Sequence, residues 1–154
     1  MGITPRFNQN DINRQIQNAK NQIDERIIGI LKYTGEMSIK VAREEGSYRD
    51  VTGNLRSSIG YVIYAGGRKV AETFEMANGG TGKGKSAAIA TARAYASGIA
   101  EKWSGDNDYV LVVVAGMNYA SSVESRGLNV LVTAEQYAES ALPRLISALN
   151  TKLK

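Results

Sequence analysis

Leu55-Arg56-Ser57-Ser58-Ile59-Gly60-Tyr61-Val62-Ile63-Tyr64-Ala65-Gly66-Gly67-Arg68-Lys69-Val70-Ala71-Glu72-Thr73-Phe74-Glu75-Met76 is the stretch on which the fold turns. Leu55, Ser57, Ile59, Tyr61 and Ile63 alternate with Arg56, Ser58, Gly60, Val62 and Tyr64, the period-two pattern of a strand that begins at Leu55. Gly66-Gly67 supplies the positive φ that a primed hairpin turn demands, and residues 69–76 return as the antiparallel partner. A hairpin here excludes an all-parallel sheet.

Upstream, Ile12, Ile16, Ala19, Ile23, Ile27, Ile30, Thr34, Met37 and Val41 recur in steps of three and four, which predicts one long helix from Asn10 to about Glu45. Asn10 or Asp11 offers a cap, Gly46 a stop, and Gly29 and Gly35 weak points. Its apolar stripe serves either the core or, being close to a heptad, a seam between subunits.

Downstream, the glycine-rich run 78–85 reads as a flexible loop, and the alanine-rich stretch 86–103 as a helix with Ala88, Ala92, Tyr95, Ile99 and Trp103 on one face. Tyr109-Val110-Leu111-Val112-Val113-Val114-Ala115 is apolar in both phases, the signature of a central strand buried on both sides. Residues 129–133 read as a further short strand. Thr133 to Gln136 has capping-box spacing before a last helix that turns Tyr137, Ala141, Leu145, Leu149 and Leu153 inward, bent or restarted at Pro143. The expected fold is α+β: one domain over residues 1–154, a small and mainly antiparallel sheet of about four strands, and long N-terminal, central and C-terminal helices.

The chain has 154 residues, 43% of them hydrophobic, enough for one real core. It has no cysteine and no histidine, which removes disulfides, thiolate and imidazole ligands and His-assisted nucleophiles. No metal and no cofactor is expected. The net charge of +4 permits a polyanion nearby without requiring one. The opening residues lack the apolar stretch of a signal peptide, and no window suits a membrane span.

Gly79-Gly80-Thr81-Gly82-Lys83-Gly84-Lys85-Ser86 satisfies G-x-x-x-x-G-K-[ST] letter for letter. A nucleotide site would use Gly79 and Gly84 to cradle phosphate, Lys85 to meet it and Ser86 to hold magnesium. Against that reading, the preceding strand belongs to a hairpin, and the strand ending at Ala115 runs into Gly116-Met117-Asn118 without a carboxylate for magnesium. The plainer reading is a mobile basic loop, where Lys83 and Lys85, with Arg68 and Lys69 on the hairpin, would bring positive charge to DNA phosphates. Asp106 and Asp108 read as turn formers, and the tyrosines as residues of core edges and interfaces.

Two stretches carry a family likeness. Tyr48-Arg49-Asp50-Val51-Thr52-Gly53-Asn54-Leu55-Arg56-Ser57-Ser58-Ile59 resembles a Thr-Gly-x-Leu-x-x-Ser-Ile lead into a hairpin, and Asn118-Tyr119-Ala120-Ser121-Ser122-Val123-Glu124-Ser125-Arg126-Gly127 resembles a Tyr-Ala-x-x-Val-Glu-x-Gly loop after a strand. Both are similar to the minor tail component family of long-tailed bacteriophages, the head-tail joining, neck or tail-completion proteins. Residues 79–103 read as a loop-plus-helix insertion in that pattern.

The resemblance implies a structural, non-enzymatic virion protein, made in the host bacterial cytoplasm. It would form a ring around the DNA channel and contact the connector or portal on one side and the tail terminator or tail tube on the other, with non-specific DNA contact and no membrane. It points to Thr52, Gly53, Asn54, Leu55, Arg56, Ile59, Tyr119, Ala120, Val123, Glu124 and Gly127 as the interface and structural motif, with the long helix and the Tyr119 to Gly127 loop as the candidate ring faces. Gly53 and Gly127 suit positive φ, Leu55 and Ile59 would share a strand face, and Tyr119 and Val123 would anchor the loop. Glu124 would accept from backbone amides of its own loop or pair with an Arg such as Arg56 or Arg126 in this or the next subunit. The alternatives are a P-loop-like nucleotide-binding protein and an interaction or adaptor module unrelated to phage.

Overall fold

A computed structural model describes residues 8–152; Leu153, placed by its spacing on the inner face of the last helix, lies outside them. The elements are α1 (Gln9–Glu45), α2 (Asn54–Ser57), β1 (Ile59–Ala65), β2 (Arg68–Thr73), α3 (Lys85–Trp103), β3 (Tyr109–Ala115), α4 (Ala120–Glu124) and α5 (Val132–Lys152).

They build a three-layer sandwich. The antiparallel sheet has three strands in the order β2-β1-β3, with α3 on one face and α1 and α5 on the other. The hairpin forms where expected, with Gly66 at φ 56° and Gly67 at φ 72°. The expected fourth strand does not exist: residues 129–131 are irregular, and the chain is already helical at Val132. Two β-branched residues in a row were too short a signal against the hydrogen bonds that start α5 there.

β1, not β3, is the central strand. All but the last of its residues are buried, and its two faces feed different cores. Ile59, Tyr61 and Ile63 pack with Leu31, Ile39 and Ala42 of α1, while Val62 and Tyr64 pack with Ala92, Ala96 and Ala100 of α3. Within the second phase Gly60 lets Phe74 approach closely, leaving no room for a Cβ. β3 is apolar on both phases because it too is sandwiched, yet it stands at the edge of the sheet.

The segment starting at Leu55 is not yet strand. Residues 54–57 form the short α2, so Leu55 and Ile59 do not share a strand face. β2 ends at Thr73 rather than Met76.

α1 is capped by Asn8, whose side chain accepts from the Asn10 amide at 3.1 Å, rather than by Asn10 or Asp11. It ends at Gly46 as expected, with extended backbone there and no left-handed cap. At ~1.5 Å per residue it reaches roughly 55 Å, longer than the sheet it covers. Its buried residues, Leu31, Thr34, Gly35, Ser38, Ile39 and Ala42, lie in its second half and slightly to one side of the isoleucine stripe. Ile16 is 63% exposed and Ile23 36%, so among the described residues these two members of the stripe are left largely uncovered, whereas Ile27 packs on the core.

The buried face of α3 is its alanine row, Ala88, Ala92, Ala96 and Ala100. The residues read as one face are divided: Ala88 and Ala92 are buried, while Tyr95 and Trp103 are exposed. Small side chains bring the helix axis close to the sheet: at Gly116, just past β3, a Cβ would collide with Ala92. α5 runs through Pro143 without interruption. No helix among the described residues is long and apolar enough to cross a membrane.

Candidate functional site

The two motifs that carry the family likeness fold onto one another. Leu55 from the first and Ala120 from the second are buried together with Tyr48 and Val130, and Val123 packs against the same cluster. Tyr119, 39% exposed, sits at the rim of this junction. Its phenol is held above its ordinary range by burial and by the charge of Asp50, opposed by a hydrogen bond with the Thr52 side chain.

Asp50 organises the first motif. Its Oδ1 accepts from the Gly53 amide at 2.9 Å and its Oδ2 from the Arg56 amide at 2.8 Å, closing the turn into α2. Gly53 takes φ 77° at the start of that helix, as its place in the motif required. Ser57 is fully buried, donating to Gly53 O at 2.5 Å and accepting from the Ala77 amide at 3.0 Å. Asp50 was not singled out by sequence reading, although a carboxylate three residues before a turn glycine is a recognisable capping signal.

Arg43 was also missed. From α1 it donates to the carbonyls of Arg56 (3.1 Å), Ile59 (3.0 Å) and Glu75 (2.8 Å), tying the helix to both ends of the hairpin. Burial draws its guanidinium below the ordinary arginine range, while nearby Glu75 opposes the shift. Arg56 in turn donates to Arg43 O and lies 5.0 Å over the Tyr48 ring.

Within the subunit Glu124 pairs with neither Arg56 nor Arg126. Its Oε2 accepts from the amides of Val130 (3.0 Å) and Leu131 (3.1 Å), and its Oε1 from that of Val132 (3.3 Å). Those are among the unpaired amides at the start of α5, where a carboxylate also meets the positive end of the helix dipole. Asn129 completes the cap, accepting from the Thr133 amide at 3.2 Å. The cap of α5 thus comes from Glu124 and Asn129 rather than from the capping-box spacing at Thr133. Gly127, at φ 75°, makes the turn between α4 and this cap.

The glycine loop is built into the same junction. The Thr81 and Gly82 amides donate to Val51 O (3.1 Å) and Thr52 O (3.3 Å), and Gly80 leaves no space for a Cβ against Thr52 and Gly53. Lys85 is buried, its ammonium donating to Ala77 O at 2.8 Å and Gly79 O at 2.6 Å. These groups are turned to protein carbonyls, an arrangement unlike the phosphate cradle that Gly79, Gly84, Lys85 and Ser86 suggested.

The basic residues expected to gather near DNA are divided. Lys83 is exposed beside the start of α3 and Lys85 is internal. Arg68 and Lys69 stand at the hairpin, whose Gly67 amide meets Ser104 Oγ at the far end of α3, roughly 28 Å away by helix rise. Lys69 is paired with Glu72 at 2.8 Å.

Beside the junction an open groove of about 700 Å³ runs between α3 and the Met117 to Ser121 segment. Asn54, Thr91, Tyr95 and Met117 line it, with no carboxylate, lysine or arginine. Among the described residues no three acidic side chains gather as a metal site. The other open surface is the projecting half of α1, with Ile16 and Ile23 outward. No family model, curated protein or solved structure matches this chain.

Proposed function

We propose that this chain is a ring-forming structural subunit of a phage neck or tail-completion complex, acting by assembly around the DNA channel. One observation carries the reading: the two motifs on which the likeness rests, far apart in sequence, share one buried cluster through Leu55, Ala120 and Val123. Several motif residues have a concrete part at that junction, from the left-handed Gly53 and Gly127 to the capping carboxylate of Glu124. The first half of α1 offers what a ring requires, apolar side chains at Ile16 and Ile23 left uncovered among the described residues. A closed ring needs two different complementary faces, and this helix is the first of them.

The test is native mass spectrometry of the purified chain beside Ile16→Glu/Ile23→Glu. A closed oligomer that the double substitution opens, with helix content unchanged, is the expected result. The reading fails if the wild-type chain stays below ring size in the presence of connector and tail-terminator proteins, or if the double variant assembles as the wild type does.

A further inference from the structure

The two edges of the sheet are unlike. β2 carries Arg68, Lys69 and Glu72, and its pairing with β1 slips between Ile63 and Tyr64. Charges and irregularities of this kind blunt an edge against further strands. β3 has neither. Its seven residues hold no charge and no proline, its register with β1 is regular, and no strand among the described residues pairs with its outer side.

Apolar side chains flank that open edge. On one face stand Tyr95, Ile99 and Trp103 of α3, four residues apart, with Tyr95 60% and Trp103 74% exposed. On the other stand Leu131 and Val132 at the start of α5, with Glu124 and Glu135 lining the same opening. We infer that β3 and the α3 stripe form a twofold interface between two copies of this chain, joining their sheets edge to edge.

The surface is self-complementary about one axis. α3 runs antiparallel to β3, since Ala92 packs on Gly116 while Trp103 lies just before the turn that leads to Tyr109. By helix and strand rise, Ile99, about 10 Å past Ala92, lies level with Val113, next to the middle of β3. A twofold axis at Val113 pairs the strand antiparallel with itself and brings Ile99 against Ile99, so that Tyr95 of each copy meets Trp103 of the other.

Spacing agrees with this arrangement. α3 packs on both β1 and β3, so its axis lies about 5 Å from a dyad placed half a strand spacing beyond β3. The two α3 helices then stand about 10 Å apart, the separation of packed helices. A strand about 24 Å long at the side of layers roughly 30 Å deep presents about 700 Å², close to the ~800 Å² per partner of a stable interface. With no charge on β3, like strands meet without repulsion.

This interface does not depend on the neck reading. Should a ring also close through α1, the twofold contact makes the total number of subunits even.

The test uses the full chain with Ile99→Glu, Ile99→Lys and an equimolar mixture of the two. The expected result is a dimer, or an even assembly, for wild type, loss of the pairing in each variant alone, and recovery of a one-to-one pair in the mixture. Trp103→Ala, at an exposed position, should weaken the pair at least about tenfold with the fold intact. An odd-membered assembly, a wild-type monomer at the highest concentration reached, or Ile99 and Trp103 variants with wild-type stoichiometry would overturn the inference. Ile16→Glu/Ile23→Glu should leave the twofold pair in place, which separates failure of this interface from failure of the ring.

Discussion

The ammonium of Lys85 lies 2.6 Å from the carbonyl oxygen of Gly79, so the lysine that ends the glycine loop clasps the residue that begins it. Its second acceptor, Ala77 O, follows the end of the hairpin, and its stem lies against Gly53. Lys85 is therefore the tether of hairpin, loop, α2 and α3. Hydrogen bonds to a charged group contribute about 1.5–3 kcal/mol, and both carbonyls lose their partner on truncation. Lys85→Ala is expected to lower unfolding free energy by about 2–3 kcal/mol in a urea titration, while magnesium and ATP leave the wild-type midpoint unchanged. A loss below about 0.5 kcal/mol would mean that water replaces the tether freely.

Glu124 acts across the loop on the helix that follows it. With three amides converging on its carboxylate, Glu124→Ala removes both a cap and a favourable charge at the start of α5. The expected cost is about 1–3 kcal/mol, with Glu124→Gln between the variant and wild type because an amide oxygen still accepts without the charge. Hydrogen exchange at the Val130, Leu131 and Val132 amides distinguishes this role from a surface one. Protection there should fall in Glu124→Ala more than it does in β1; equal protection in both proteins would remove the cap from the account.

What could be read in the sequence was decided by how far each signal extends along the chain. The 37-residue periodicity of α1, the Gly66-Gly67 turn and the alanine run of α3 are local and long, and each element forms there. Which strand lies in the middle is not local. β3 looks central because both its faces are apolar, yet β1, with Gly60 and two tyrosines, holds that position; only the contacts of α3 and α1 reveal why. The glycines of the site were legible because positive φ has so few alternatives. Arg43 was not, since its partners are carbonyls up to 32 residues away and leave no mark in composition.

Two glycines of α1 give opposite forecasts. Gly29 faces open space, so Gly29→Ala gains helix propensity at no steric cost and should stabilise by about 0.5–1 kcal/mol. Gly35 lies against the ring of Tyr61, where an added Cβ would fall 2.7 Å from Cδ1. Tyr61 is itself fixed by a 2.8 Å hydrogen bond to Glu36. Overpacking costs about 1–3 kcal/mol, enough to reverse the propensity gain. Thermal melts of the two single variants should therefore move in opposite directions, and a rise in both would show that Tyr61 yields without strain.

Tyr48 offers a test through pH. Its hydroxyl is buried without a hydrogen-bond partner, and burial pushes its pKa up to about 12. A phenol raised in the folded state binds its proton more tightly there than in the unfolded chain. Its contribution is complete below the unfolded value near 10 and is lost as pH climbs toward about 12. Tyr48→Phe keeps the ring under Arg56 and removes the orphan hydroxyl, so at neutral pH it should be neutral or stabilising by up to about 1 kcal/mol. Between pH 10 and 12 the variant should lose less stability than wild type. Some alkaline loss must persist, because Tyr109, hydrogen-bonded to Asp24, is also raised to about 12. Urea midpoints for both proteins across this range supply the check: parallel curves would place the alkaline transition on Tyr109 and the remaining tyrosines, whereas curves that diverge, with wild type falling faster, assign a share of it to Tyr48.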